Sequence, residues 1–183
     1  MKKLICLALC LLALCSLFAG CKANNKPVET TAAATLPEIN PEDVPEGTVH
    51  FCGLKSAGVT KEQLASVLGL ELDQIISTTL GTGEELLIAN EVLYNSIQYK
   101  QVQCINYADK TVITLTYVPF DEEFDGVMNG IVNSLAPNFG APGSAQTADG
   151  LSSYTWHSAD GSENYIYLYP LTEEEFKLSF YLY

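Results

Sequence analysis

Strict two-residue alternation is what most narrows the folds open to this chain. Residues 111–118, TVITLTYV, set Ile113, Leu115 and Tyr117 against Thr114 and Thr116. Residues 164–170, NYIYLYP, place Tyr165, Tyr167 and Tyr169 on one side and Ile166 and Leu168 on the other. Residues 176–183, FKLSFYLY, separate Phe176, Leu178, Phe180 and Leu182 from Lys177, Ser179, Tyr181 and Tyr183. Successive side chains of a strand point to opposite faces, so this pattern predicts a sheet with one face on a core. YKQVQCINY (99–107) reads as a partner strand across a turn at Ala108-Asp109-Lys110. EELLIANEVLY (84–94), broken at Asn90-Glu91, and SSYTWHS (152–158) read as further strands.

Two stretches have helical period instead. In GVTKEQLASVLGL (58–70), Thr60 and Gln63 form a capping box and Val59 with Leu64 a hydrophobic staple. Leu64, Val67 and Leu68 make one apolar face, and Gly69 supplies the stop. The second stretch carries Phe124, Val127, Met128, Ile131, Val132 and Leu135 at helical spacing. Asp121, Glu122 and Glu123 fall in its first turn, where acids suit the dipole, and Ala136-Pro137 ends it. Each helix precedes a glycine turn and a hairpin. The expected class is α+β: two helix-plus-antiparallel-hairpin units, about 49–120 and 121–183, with the helices packed on one face of an antiparallel sheet.

The N-terminus speaks to location. Lys2 and Lys3 precede the apolar run LICLALCLLALCSLFAG, and Cys21 follows it directly. A basic start, an apolar core and small residues before the break describe a secretory signal over residues 1–20. Ala19, Gly20 and Cys21, after Leu17 and Phe18, resemble the lipobox of bacterial lipoproteins. That resemblance implies cleavage before Cys21, attachment of diacylglycerol to its sulfur, palmitate on the mature protein and a lipid anchor outside the cytoplasm. Residues 21–48, rich in proline, alanine and acids, read as a flexible tether, leaving 49–183 as one domain.

Removing the signal leaves seven lysines and 22 acidic residues, 7 − 22 = −15, and the sequence contains no arginine. Such a chain is repelled by nucleic acid and by anionic head groups, so nucleic acid is excluded as a partner and membrane attachment falls to the lipid. Cys52 and Cys104 outlive signal removal. They can pair in an oxidising compartment, or stay as free buried thiols.

Gly58-Val59-Thr60-Lys61-Glu62-Gln63-Leu64 with Val67-Leu68-Gly69, and Phe139-Gly140-Ala141-Pro142 with Tyr154-Thr155-Trp156, resemble the units of one superfamily. It contains the small lipoprotein of the outer-membrane barrel-assembly machinery and the β-lactamase inhibitory protein. The resemblance covers residues 58 to 183, with Glu71 where the first unit's proline would stand. It implies a non-catalytic protein-binding scaffold.

No residue pattern names a reaction. His50, Cys52, Cys104 and His157 are metal-ligand types, yet nothing in their spacing makes them converge, and no metal or cofactor is expected. Of the acidic clusters 121–123, 160–163 and 173–175, the first reads as a helix start and the second as a turn that lacks the twelve-residue calcium loop. A hydrolase built on His157 would need a carboxylate within hydrogen-bond reach of it. The strongest site signal is aromatic: Tyr154, Trp156, Tyr165, Tyr167, Tyr169 and Tyr181, expected on the sheet face turned away from the helices. Tyrosine and tryptophan on an open sheet suit a protein partner at the cell envelope, or alternatively a glycan or small ligand stacked on the rings.

Overall fold

The computed structural model describes residues 41–118, 124–146, 150–172 and 175–183. In chain order the elements are α1 (Lys61–Leu68), β1 (Ile76–Thr79), β2 (Glu85–Tyr94), β3 (Ile97–Asn106) and β4 (Thr111–Tyr117). Then follow α2 (Phe124–Phe139), β5 (Gly143–Gln146), β6 (Ser152–His157), β7 (Tyr165–Thr172) and β8 (Glu175–Leu182). The strands form one eight-stranded sheet in the order β1-β2-β3-β4-β8-β7-β6-β5, antiparallel at every pairing.

This overturns the expectation of two helix-plus-hairpin units. Four strands follow each helix, one more than the stretches read as strands, and instead of forming separate hairpin units both sets merge into one sheet that dominates the fold. Two of the strands had no sequence signal of their own: β1 is ISTT and β5 is GSAQ, exposed at every position. Backbone pairing to β2 and β6 holds them in place, not an apolar face. The merger runs through β4 and β8, whose opposed pairs Ile113–Phe180, Leu115–Leu178 and Tyr117–Phe176 are buried on both sides.

Register carries that apolar stripe across the six inner strands of the sheet. Leu87, Cys104, Ile113, Phe180, Ile166 and Trp156 lie opposite one another strand by strand, each at most 1% exposed. Burial of a large apolar side chain stabilises by roughly 1.5–3 kcal/mol relative to leaving it in water. Leu64 and Ala65 of α1, with Val127, Met128, Ile131 and Leu135 of α2, belong to the same core cluster. That side of the sheet is the inner face.

α1 forms as its caps dictate. Thr60 accepts from the Gln63 N–H at 3.2 Å and Gln63 Oε1 accepts from the Thr60 N–H at 2.9 Å. Gly69 closes the helix at φ 66°, a left-handed conformation that favours glycine. α2 continues through Pro137 to Phe139, past the expected stop at Ala136-Pro137. A proline so near the C-terminus removes one donor only, and the Gly140 N–H bonds the Ala136 carbonyl at 2.9 Å.

β2 and β3 bend where the alternation breaks. Glu91, at φ 54°, leaves the inner face, so Val92 and Tyr99 beyond the bend are buried. A two-residue turn, Asn95-Ser96, joins the strands with both residues at positive φ (48° and 63°), the requirement of a type I′ hairpin.

Polar groups lock the loops at the other end. The buried Asn164 amide donates to the Val49 and Lys55 carbonyls at 3.3 and 2.8 Å, and its oxygen accepts the Tyr183 N–H at 2.8 Å. Thr111 donates to Asn106 at 2.6 Å, Gly58 donates to Thr111, and Asn106 donates to the Val59 carbonyl. Gly47 donates to the Asn138 carbonyl and accepts from the Ala159 N–H, so the tether's last residues are bonded into the domain. A side chain at Gly47 would meet Ala159 at 2.9 Å, at a φ of 79°.

Candidate functional site: the outer face of the sheet

Inward residues fix the outward ones. Ile166 and Leu168 face the core, so Tyr165, Tyr167 and Tyr169 of β7 face out. Tyr165 lies opposite Tyr181, Tyr167 opposite Ser179, and Tyr169 opposite Lys177. Beyond β8 the outer face continues through Val112, Thr114 and Thr116, then Ile105, Gln103 and Gln101. No described helix contributes to this side; the helical core residues all pack on the inner one.

Contacts among the side chains hold them in place. The Tyr165 and Tyr181 rings stack at 4.2 Å with 9° between planes, and Tyr167 and Tyr169 stack at 4.8 Å and 21°. His157 stands 6.0 Å from Tyr165 on its neighbouring strand. Ser179 is 1% exposed although it points outward, since it lies beneath the phenols. It shares a 3.0 Å hydrogen bond with Thr114 and another with Tyr169. Gln103 donates to Gln101 at 2.7 Å and Gln101 donates to Asn90 at 3.1 Å. Partial burial raises the phenol of Tyr165 and that of Tyr169. Burial and the neighbouring Tyr165 and Tyr169 push Tyr181 up to about 12. All three are neutral donors at physiological pH.

The aromatic set extends to residues that sequence reasoning did not include. The Lys110 ammonium lies 5.9 Å from the Tyr107 ring centre and 5.4 Å from that of Tyr183. Tyr107 and Tyr183 are 39% and 37% exposed. Tyr183 shares the parity of Tyr181, a signal the alternation already carried. Tyr107 lies one residue beyond β3, and only the turn that returns Lys110 over it gives it this place.

Two expected site residues are elsewhere. Trp156 lies opposite Ile166 on the inner face, is 1% exposed and donates its indole N–H to the Gly140 carbonyl at 3.1 Å. Tyr154 lies opposite Leu168 on the same inner side, half-buried, and lines a cavity of about 360 Å³ with Asp125 and Asn129. Alternation in residues 152–158 showed period two but not which phase faces the core, and pairing with β7 sets that phase.

Cys52 and Cys104 are both free thiols. Burial raises them to about 11 and 12, so neither is a poised nucleophile. His50 is half-buried, its ring edge-on to Phe139, and its Nδ1 accepts the Gly53 N–H at 2.9 Å. Burial lowers its pKa. Among the described residues no group of three or more His, Cys, Asp or Glu is placed to hold a metal ion. Cys21, Asp121 to Glu123, Glu173 and Glu174 lie outside the described residues. Comparisons with protein-family models, curated proteins and solved structures return no match.

Proposed function

We propose that the chain is a lipoprotein held outside the cytoplasm by diacylglycerol on Cys21, and that it is a non-catalytic module binding an envelope protein through the outer sheet face. The observation that carries the binding reading is the stacked, half-exposed tyrosine patch of β7 and β8, over which no described helix packs. Tyrosines supply large contact area at low entropy cost, and stacking has already fixed these rotamers. Two lysines stand at the patch, Lys177 opposite Tyr169 and Lys110 beside Tyr183, and the tyrosines between them match the tyrosine-rich centre of a protein interface.

Stacking covers one face of each of Tyr165, Tyr181, Tyr167 and Tyr169, which reduces the ring face left for a sugar. Hydroxyls, ring edges and the second faces are what remain for a partner. The anchor reading rests on the lipobox-like Leu17 to Cys21.

Two experiments test the pair of claims. Palmitate labelling should vanish in Cys21→Ser; labelling that persists removes the anchor. For the surface, Tyr165, Tyr167 and Tyr169 are changed together to Ser and bound proteins compared after crosslinking in cells. Loss of one stoichiometric partner, with unfolding midpoint retained, is expected. Unchanged capture, or retention on immobilised glycans lost in the variant, contradicts the protein-docking role.

A further inference from the structure

The sheet ends at β1, a four-residue strand whose outer edge is protected by its shortness alone. Residues 76–79 are Ile, Ser, Thr and Thr, with no lysine, proline or bulge. All four are exposed, and among the described residues no backbone hydrogen bond outside the β1–β2 ladder involves them. Ile76 is 52% exposed and Leu72, just before the strand, 47%. An unpaired row of N–H and C=O groups beside exposed apolar side chains fits one kind of ligand, an extended peptide adding a ninth strand.

Charge narrows which peptide. Between residues 71 and 85 the chain has four acidic residues, Glu71, Asp73, Glu84 and Glu85, and no basic one. Glu71 and Asp73 lie before β1, and Glu84 and Glu85 follow its turn into β2. Glu85 lies opposite Thr79 and accepts the Ser77 hydroxyl at 3.0 Å. Acidic residues therefore flank in sequence a neutral strand that is about 14 Å long, and the Glu85 carboxylate reaches back beside Ser77. A second copy pairing antiparallel would bring Glu71 and Asp73 of one chain against Glu84 and Glu85 of the other, like charge on like.

We infer that the β1 edge binds an extended peptide segment with basic residues at each end of an uncharged, β-branched centre. Backbone hydrogen bonds supply the attachment, and the flanking carboxylates select the ends. This surface is separate from the tyrosine patch, and its fate does not depend on the role proposed for that patch.

The test uses the full chain in nonionic detergent with fluorescent peptides: KKVTVTKK, EEVTVTEE, and KKVTVTKK N-methylated on alternate amides in either phase. Expected are binding of the lysine-ended peptide and at least roughly tenfold weaker binding of the acid-ended one at low salt. That gap closes in about 0.5 M salt. N-methylation in one phase only abolishes binding, and amide exchange slows at residues 76–79. No binding, equal binding of both charge types, or indifference to N-methylation overturns the inference. So does slowed exchange at β7 and β8 with 76–79 unchanged, which would leave the tyrosine-face role standing. A dimer in sedimentation with 76–79 already slowed in the free protein assigns the edge to a second copy and likewise overturns it.

Discussion

Asn164→Ala should be among the most damaging single changes outside the apolar core. The amide makes three hydrogen bonds that tie residues 49 and 55 to the C-terminus. Each bond is worth about 0.5–1.5 kcal/mol net, more when a buried partner is orphaned. Val49 is 0% exposed, so its carbonyl is left without water; Lys55 and Tyr183 are exposed and can rehydrate. Two bonds near 1 kcal/mol each and one orphan near 2 sum to about 3–4 kcal/mol. With a urea m-value of about 2 kcal/mol/M, the midpoint should fall by roughly 1.5–2 M at unchanged m. A fall under about 0.3 M would refute the reasoning, since it would mean the three bonds add nothing beyond what water supplies. Asn164→Asp should not rescue: it keeps the acceptor for Tyr183 but turns an oxygen toward two carbonyls.

Thr60→Ala removes the N-cap of α1 and should cost about 0.5–2 kcal/mol in the same urea assay, with Lys61→Ala on the same turn near zero. Cys52 and Cys104, raised by burial to about 11 and 12, should alkylate far more slowly at pH 8 in the native protein than in urea. Fast labelling of either thiol in the native state contradicts the burial assigned to it. Tyr181 is raised above its unfolded value near 10, so its contribution is complete below pH 10 and is lost as pH climbs to about 12. Unfolding midpoints measured across that window should fall less steeply in Tyr181→Phe. The chain's single tryptophan is Trp156, so native emission should be shielded from acrylamide and become quenchable on unfolding.

What could be read in the sequence was whatever is decided locally. α1 formed as its capping box, staple and glycine stop require, since all three signals lie within residues 59–69. The tyrosine side of β7 and β8 was legible because Ile166, Leu168, Phe176 and Phe180 leave one inward choice. Trp156 and Tyr154 were misplaced because SSYTWHS has an aromatic on one parity and polar groups on the other, without an aliphatic anchor. Only the pairing Trp156–Ile166 settles it. In consequence, changing Trp156 would test folding and not docking. The edge strands ISTT and GSAQ, and the join of β4 to β8, depend on partners far along the chain, which no short window records. The bend at Glu91 showed as a break in the pattern, but that β2 runs on through it did not.

The central claim is that the tyrosine face, and not the helical side, meets a protein partner. A photoreactive phenylalanine analogue placed at Tyr167 on β7, and separately at Ser66 on the exposed side of α1, tests it in living cells. The account predicts one discrete adduct of stoichiometric yield from position 167 and none from position 66. Adducts from position 66 alone, or the same adducts at equal yield from both, would contradict it.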